Sequence, residues 1–518
     1  MRVMVSLLSC QHIIKMKYCI LFFFPIFAFS QIKHDHIWLM SGSRNPTSDT
    51  AFQGFQIDFN LKPTKIYIKD RPLPILRQNN ASICDKNGNL LMYTAGCNVS
   101  DRLFRPMPNG KINEGFVWDF SCAKGDYAMS NGTLFLPSNI SLNIYYLFHK
   151  FIEFDPDTAL PGAAITKILF STVDMNLNSG YGDVSEKNRV ILEKHLSASD
   201  LTATKHNNLN DWWIMLPGRV SNVYYAVHFS EGQVIQILEQ RIGIPTQYID
   251  DGVSQSCFSP DGSKYALMSQ HTGLFIMDFD RTTGKLSNFI NVPNDHIDEY
   301  YSTGVAFSPN GRFLYYTTKV DLWQVDLQAS DIVASRVNID MWDGYVDEQI
   351  WAAQFNIMML GPDCKIYMNT RTSNTVMHVI HSPNERGKSC NFEQHGIHLP
   401  AWNHASMPNF VNYRLGYEPV CDSSMIMSWN NFPQDLNSHL ITYPTPVVDE
   451  VNLELWDRDK NINSITIMDI QGKVLKQENK QESTYKLNMD VAELSAGIYL
   501  VKVRDQYGQI HTGKLVKN

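Results

Sequence analysis

Residues 257–267 read CFSPDGSKYAL, and their pattern is the most informative one in the chain about its fold. An alternating apolar segment leads into a tight turn, and a second alternating segment leaves it. Pro260 presets the backbone angle of the turn, Asp261 can bond to its own backbone, and Gly262 tolerates a positive φ. The stretch therefore predicts a strand, a tight turn and a second strand.

The same hairpin recurs along the chain. Pro260, Pro309 and Pro362 mark three copies that lie about 50 residues apart, a spacing typical of the four-stranded blades of a β-propeller. The sister hairpins are residues 83–94 (ICDKNGNLLMYT), 306–317 (AFSPNGRFLYYT) and 360–368 (LGPDCKIYM). The repetition predicts an all-β chain built from repeated meanders.

Further segments extend the repeat. Residues 136–149 (LPSNISLNIYYLFH) and 216–228 (LPGRVSNVYYAVH) both indicate strand, polar loop, strand, and an N-terminal unit runs from His36 to about Lys69. The total is a roughly seven-bladed propeller. Residues 37–40 or 410–414 are expected to close the ring by completing a blade made mostly from the other end of the domain. The one helical signal in this region covers residues 184–196.

Composition and charge narrow the function classes. The chain has 518 residues, of which 44% are hydrophobic and 19% charged, so it is neither wholly disordered nor collagen-like nor a coiled coil. Its formal net charge is −8. The sequence thus predicts no nucleic-acid partner, because such proteins carry a basic footprint.

The first 30 residues are typical of an export signal. Lys15 and Lys17 precede an apolar run over residues 18–29, and Ala28 and Ser30 place small residues before a predicted cleavage after residue 30. The apolar run is too short to span a bilayer. Residues 1–15 can lie upstream of the true start, since Met16 directly precedes the charged residue Lys17. No transmembrane anchor is predicted.

The last part of the chain changes character. Residues 417–440 are polar and are expected to form a linker, and residues 441–518 contain short alternating strands that predict a small β-sandwich. This region resembles the C-terminal sorting domain of the type IX secretion system. The resemblance rests on YPTPV, LSAGIY and GKLVK, with Pro444, Pro446, Gly497, Tyr499 and Lys514 as its signature residues. It implies handling by the type IX machinery, passage across the outer membrane, and release or attachment at the cell surface.

The region from residue 31 to 416 also resembles a known group. The hairpins are similar to WD40-like propeller repeats, and three strings resemble a propeller family of secreted Bacteroidetes proteins. These strings are DFDRTTGKLS at 278–287, TATKHNNLNDWW at 202–213 and MPNFVNYRLG at 407–416. The resemblance implies a rigid scaffold and carries no assigned biochemical activity.

Export permits disulfides, and seven cysteines follow the signal. The odd number leaves at least one unpaired or paired between molecules. Cys364 stands where the sister hairpins have Gly262 and Gly311, although that position favours a positive φ. We expect this cost to have a reason, a disulfide to Cys390 across the same blade.

Candidate site residues are few. His206, Asp211 and Trp212 form the densest cluster: an Asp can orient a His, and a Trp face can stack on a sugar or cap an apolar ligand. The competing interpretation, which we favour, is that His and Asp connect turn to strand while Trp packs between sheets. The irregular spacing of His395, His398 and His404 is weak evidence for a metal. We predict no catalytic residue, cofactor or metal.

The sequence therefore favours a binding protein over an enzyme. It holds no G-x-S-x-G, H-E-x-x-H, phosphate-loop or dinucleotide motif. A propeller exposes loops on two faces, which suits an unknown glycan, peptide or protein ligand. One alternative is a secreted hydrolase or lyase that acts on a glycan, lactone or peptide through the central channel. Another is a structural or adhesive surface component, which predicts an exposed apolar patch and no deep pocket.

Overall fold

The computed structural model describes residues 32–41, 53–68, 76–127, 129–155, 162–246, 254–294, 303–347, 351–416, 421, 440–443, 447–455, 460–469, 473–480, 484–508 and 510–517. Two compact units divide the chain, residues 1–426 and 427–518. The predicted signal, residues 1–30, lies outside the described residues. So does the predicted linker, residues 417–440, apart from Cys421 and Leu440.

The first unit is a β-propeller. Within the described residues, seven antiparallel sheets follow one another along the chain, the first with three strands and the others with four. Sheet one holds β1 (Ile37–Met40), β2 (Phe55–Asp58) and β3 (Lys65–Ile68); sheet two β4 (Ala81–Cys84), β5 (Leu90–Thr94), β6 (Asn98–Asp101) and β7 (Pro106–Lys111); sheet three β8 (Thr133–Pro137), β9 (Ile144–Asp155), β10 (Gly162–Asp174) and β11 (Asp183–Leu196); sheet four β12 (Thr202–Lys205), β13 (Trp212–Pro217), β14 (Val223–Ser230) and β15 (Gln233–Arg241).

The remaining sheets repeat this order. Sheet five holds β16 (Ser256–Phe258), β17 (Lys264–Ser269), β18 (Gly273–Asp280) and β19 (Lys285–Val292); sheet six β20 (Val305–Phe307), β21 (Phe313–Thr317), β22 (Asp321–Asp326) and β23 (Val337–Met341); a short ribbon β24 (Val346–Asp347) and β25 (Trp351–Ala352); sheet seven β26 (Phe355–Leu360), β27 (Ile366–Thr370), β28 (Ser373–Ile380) and β29 (Phe392–His404). One short helix, α1 (Phe116–Ser121), connects sheets two and three.

The first strands of sheets two to seven form the inner wall of the ring. Their starts lie side by side: Leu201 donates its backbone N–H to Asn131 O at 3.0 Å, and Asp200 donates to Ser254 O at 2.9 Å. Because strands alternate in direction, the loops after every first and third strand emerge on one side, which we call the turn face. The loops after second and fourth strands emerge on the connection face.

The predicted hairpins are confirmed, and each turn is held by contacts among its own residues. Gly262 and Gly311 both have φ of 70°, and the N–H of Gly262 donates to Ser259 O at 2.8 Å to close the turn. Cys364 occupies the same turn position with φ of 65°. A side chain is held there in a conformation that favours glycine.

Residues 405–416 run into the centre of the ring after β29. The Asn409 backbone N–H donates to Asn80 O at 2.9 Å, and its carboxamide donates to Thr133 O at 3.0 Å and Leu201 O at 2.7 Å. This segment thus contacts the inner walls of sheets two, three and four together. Residues 410–414, predicted as a closing strand, lie here but form no regular strand. The other predicted closing strand, β1, pairs with β2 of its own sheet.

The helix predicted at residues 184–196 is wrong, because these residues form strand β11. β11 pairs with β10 along its whole length, but four register irregularities interrupt the ladder, and Asn188 has φ of 56°. Such bulges break the two-residue alternation of a strand, so the apolar pattern imitates a helical period.

The predicted disulfide between Cys364 and Cys390 is also wrong. Cys364 is bonded to Cys421, and Cys97 to Cys122. Cys390 is a buried free thiol, and burial raises its pKa to about 11 although a hydrogen bond with the Tyr315 side chain acts to lower it. The strained turn does serve a disulfide, but its partner lies beyond the last blade, where the sequence offers no pattern that identifies it.

The second unit is a small β-sandwich. One sheet holds β30 (Leu440–Tyr443), β31 (Glu450–Leu455) and β34 (Lys486–Asp490); the other holds β32 (Ile462–Met468), β33 (Val474–Asn479), β35 (Gly497–Asp505) and β36 (Ile510–Lys517). Its core is separate from that of the propeller and includes Val451, Ile465 and Val501, all fully buried. The predicted fold class, a propeller followed by a sandwich, is confirmed.

Candidate functional site

The centre of the ring is filled by the chain itself. Eleven consecutive residues, 405–415, are buried or, at Asn412, half-buried. The Tyr413 hydroxyl donates to Phe135 O at 3.0 Å, and the Asn412 carboxamide donates to Pro260 O at 2.7 Å. The space left between this segment and sheets four to seven is a cavity of about 90 Å³, whereas small-molecule sites generally measure about 300–1,000 Å³.

A buried ion pair fixes the end of this segment. Arg414, which is 1% exposed, donates Nη1 to Asp35 Oδ2 at 2.8 Å and Nη2 to Asp35 Oδ1. Asp35 directly precedes the N-terminal sheet, so the pair joins the two ends of the propeller. The Arg414 guanidinium and the Asp35 carboxylate face each other and the inner wall of the ring. This arrangement indicates a structural role, in which the pair holds the two ends together.

His206 and Asp211, two of the predicted site residues, do lie together on the turn face. They bracket the loop between β12 and β13, and His228 of β14 joins them. His228 Nε2 lies 2.9 Å from Asp211 Oδ2. The rings of His206 and His228 stack with centroids 4.6 Å apart and planes only 5° from parallel. A histidine pair and a carboxylate therefore share one half-buried pocket.

The carboxylate of this cluster is kept ionised. Burial acts to raise the pKa of Asp211, but hydrogen bonds from Ser230, Asn208 and His228 outweigh it and lower the pKa below its usual value. Asn208 Nδ2 donates to Asp211 Oδ2 at 2.7 Å. The Asp211 carboxylate thus accepts several hydrogen bonds, which hold it in one orientation.

The neighbouring sheet holds the loop in place. Arg281, from the loop after β18, donates Nε to Lys205 O at 2.8 Å and Nη2 to His206 O at 3.3 Å. A similar clamp joins sheets three and four, where Ser138 Oγ donates to Glu231 at 2.5 Å. Loops after third strands therefore cap the first-strand loops of the preceding sheet and make the turn face rigid.

Trp212 and Trp213 have different environments. Trp212 is buried, and its ring lies 6.3 Å from that of Tyr413 and 5.3 Å from Lys205 Nζ. Trp213 is the one that lies beside the histidines, with its ring centroid 4.8 Å from that of His228. Trp212, the predicted site residue, therefore packs between inner elements of the propeller. The contact with the histidines that was expected of Trp212 is made by Trp213.

His228 is the member that the sequence analysis missed. It ends the string LPGRVSNVYYAVH, which is similar to the string that ends in His149. The two strings occupy different places: one spans the first and second strands of sheet three, the other the second and third strands of sheet four. His149 is fully buried and bonded to Asn113 and Ser171. The apparent repeat therefore gave no indication that His228, unlike His149, reaches the cluster of His206 and Asp211.

His395, His398 and His404 do not meet. His395 Nε2 lies 3.3 Å from Asp343 Oδ1, His404 bonds to Ser373 and Arg77, and His398 is exposed on the same strand, β29. Each ring faces a different partner. The structure does not assemble them into a group of ligands.

An exposed aromatic pair lies on the connection face. Phe116 and Phe120, one turn apart on α1, are 76% and 63% exposed. The Cys97–Cys122 disulfide attaches the end of α1 to sheet two, and Trp118 Nε1 donates to Cys97 O at 3.3 Å. A rigid mount therefore displays two apolar rings to solvent.

The sorting-domain signature is only partly described. Gly497 begins β35, and Tyr499, buried in the sandwich, donates its hydroxyl to Ser495 O at 2.6 Å. Pro444 and Pro446 lie outside the described residues, as does the side chain of Lys514. The described part of the signature thus has a structural role in the sandwich.

Comparison with known families identifies the second unit. Residues 442–518 match the secretion system C-terminal sorting domain. The chain is therefore exported across the outer membrane by type IX secretion and then released or attached at the surface. Among the described residues, we find no helix with the length and apolar character needed to cross a membrane. No curated protein matches the sequence.

Several solved structures are similar to the chain. The periplasmic gluconolactonase of Pseudomonas aeruginosa is 10% identical, with 72% of this chain and 98% of that chain covered and a TM-score of 0.37. Dihydro-heme d1 dehydrogenase NirN is 11% identical, with 88% and 75% covered and a TM-score of 0.37. The Dos1 propeller is 9% identical, with 62% and 74% covered and a TM-score of 0.35. Sequence identities and TM-scores this low give no information about the activity of the chain.

Proposed function

We propose that the protein is an exported recognition scaffold, whose propeller binds a glycan, peptide or protein outside the outer membrane through its surface loops. The observation that carries this proposal is the filled centre of the ring. A channel enzyme needs its substrate among converging side chains, and residues 405–415 occupy that space. Recognition is left to the two faces, where loops are held by neighbouring sheets.

The α1 surface, formed by Phe116 and Phe120, is the part of the connection face best suited to contact. Exposed aromatic rings on a rigid support lose little conformational entropy on binding. Such rings can pack against an apolar peptide or protein surface or stack on a sugar. α1 packs against β9, and the C-terminal end of β9 carries the exposed residue Phe154. Binding through α1 therefore explains why these rings are displayed.

The test uses the chain from residue 31 onward, immobilised and exposed to a glycan array and to outer-membrane proteins from the producing cells. The variant combines Phe116→Ser with Phe120→Ser. The matched control combines Ile140→Ser with Leu142→Ser, because this pair is also exposed, at 74% each, but lies on the turn face. We expect a saturable ligand that the α1 variant loses at least tenfold and the control retains.

An adhesive surface component is the second candidate. The same exposed pair and the small volume of the central cavity, about 90 Å³, favour it. Adhesion predicts broad, non-saturating retention of apolar surfaces, whereas recognition predicts one saturable class. Turnover of a glycan, lactone or peptide by the wild-type chain, lost on mutation of residues lining the central cavity, would instead establish the enzyme alternative and refute the proposal.

A further inference from the structure

The cluster of His206, Asp211 and His228 has a composition that structural packing does not require. One potential ligand atom from each residue lies within 4.8 Å of those of the other two. Two imidazoles and a carboxylate are a ligand set that proteins use for zinc. The three residues come from a loop and a strand of sheet four. Because the rings of His206 and His228 now lie only 5° from parallel, one ring has to turn before both lone pairs point at the same ion.

The ring tautomer that the hydrogen bonds of His206 favour suits a ligand. Its Nε2 lies 3.3 Å from Thr282 O and donates to it, which leaves Nδ1 with the lone pair. That Nδ1 accepts the N–H of Asn208 at 3.0 Å. Metal-bound histidines characteristically donate their second ring N–H to a backbone carbonyl, which fixes the tautomer and the ring orientation. An ion at Nδ1 takes the place of one hydrogen bond from the loop.

Asp211 and His228 can take up an ion with a small change. Their 2.9 Å contact is shorter than the roughly 3.4 Å that separates neighbouring ligand atoms around a tetrahedral ion with bonds of about 2.0–2.1 Å, so the two groups move slightly apart when the ion enters. The ion displaces the proton between them, and His228 then ligates through Nε2 in its neutral form. Asn208 remains bonded to Asp211 and keeps the carboxylate oriented.

Solvent has access to this cluster. The side chains of His228 and Asp211 are 14% and 12% exposed, and His206 is half-buried. Arg281, the nearest clamp, directs its donors to the backbone carbonyls of residues 205 and 206. A water molecule can therefore complete a fourth position, as in zinc sites with three protein ligands.

We propose that His206, Asp211 and His228 form a binding site for a divalent transition-metal ion, zinc by preference, on the turn face of the propeller. The imidazoles favour zinc and its neighbours over calcium and magnesium, which prefer oxygen ligands. The site is independent of recognition through α1, because the two lie on opposite faces of the ring. Bound zinc ties the loop between β12 and β13 to β14.

The test is metal binding by the full chain from residue 31 onward, stripped with a chelator. We expect one zinc ion per chain by calorimetry, and a visible d–d absorption band when cobalt(II) is added instead. His228→Gln and Asp211→Asn should each weaken zinc binding at least tenfold. The control is His381→Gln, which removes another histidine–carboxylate pair, 2.8 Å from Glu393, and should leave affinity unchanged.

Far-UV circular dichroism without metal establishes that each variant is folded. His206→Gln changes only a loop residue and gives an independent variant if a strand substitution unfolds the chain. Wild-type protein that gives no cobalt band overturns the proposal without recourse to any variant. Zinc affinity that all three substitutions leave intact overturns it as well, because the ion then binds elsewhere.

Discussion

Replacing Arg414 by methionine tests whether the central segment is part of the propeller's structure. Arg414 is almost fully buried and makes two charge-assisted hydrogen bonds to Asp35. The substitution keeps much of the side-chain volume but leaves the Asp35 carboxylate buried without its partner. Breaking a buried pair in this way costs about 3–5 kcal/mol. We expect the free energy of unfolding to fall by that amount.

Arg312→Met is the matched control. Arg312 makes the same two-point contact, with Nε 3.1 Å from Asp326 Oδ1 and Nη2 2.7 Å from Asp326 Oδ2. The Arg312 side chain is 42% exposed and that of Asp326 is 7% exposed, so water reaches the arginine, and the backbone N–H of Gln328, 3.0 Å from Asp326 Oδ1, still bonds to the carboxylate after the substitution. We therefore expect a cost close to the roughly 1 kcal/mol of a solvent-exposed pair. Both contacts have two hydrogen bonds, through Nη1 and Nη2 in Arg414 and through Nε and Nη2 in Arg312, and the main difference between them is the burial of the arginine.

Urea unfolding followed by tryptophan fluorescence measures both variants. Eight of the ten tryptophans precede residue 416, so the signal reports the propeller unit. The double variant Arg414→Met with Asp35→Leu should recover part of the loss, since it leaves no buried charge. A cost for Arg414→Met below about 1 kcal/mol, equal to that of the control, would refute the view that residues 405–416 lock the ring.

Two further predictions concern the hairpin of sheet seven and the buried histidines. Cys364→Gly with Cys421→Ser should be more stable than Cys364→Ala with Cys421→Ser by about 1 kcal/mol, because both lack the disulfide but only glycine relieves the positive φ; urea midpoints measure the difference. Burial lowers the pKa of His149 and His378 to about 3, so the unfolded chain binds more protons than the folded chain between about pH 3 and 6.5. Stability should fall as the pH drops through this window, and His149→Gln should make the pH dependence of the urea midpoint shallower.

Each of these has an outcome that contradicts it. Equal stability of the glycine and alanine variants would mean that the turn relaxes once Cys421 is released. An unchanged pH dependence in His149→Gln would mean that the ring is protonated in the folded state. Thiol titration of the unfolded, unreduced chain from residue 31 provides a check on the disulfides, with three reactive thiols expected: Cys84, Cys257 and Cys390.

The sequence predicted well where chemistry acts within a few residues. Pro260 and Gly262 specify their turn without reference to the rest of the chain, and the copies of that turn gave the meander repeat and the propeller. Long strands with bulges were harder to predict. In β11 the irregular pairing with β10 interrupts the alternation of apolar and polar residues that identifies a strand. The LPGRVSNVYYAVH string predicted a hairpin correctly but not its place in the blade, because strand order depends on partners.

In the candidate site, too, contacts between residues close in sequence could be predicted and contacts between distant residues could not. His206 and Asp211 are five residues apart and could be linked by inspection, whereas His228 approaches them only through the pairing of β13 with β14. The connection of Cys364 to Cys421, 57 residues away, has no local signature. Trp212 and Trp213 differ in role because neighbouring residues of a strand point to opposite faces of the sheet.

The hairpin repeat, the all-β class and the C-terminal sorting domain could be predicted from the sequence alone, since turn chemistry and strand alternation are properties of short segments. The tertiary structure was needed to show that residues 405–415 fill the centre of the ring and that Arg414 meets Asp35, 379 residues away. Contacts of this kind form when closure of the ring brings the two ends of the domain together. Burial then makes the pairing of their charges energetically necessary.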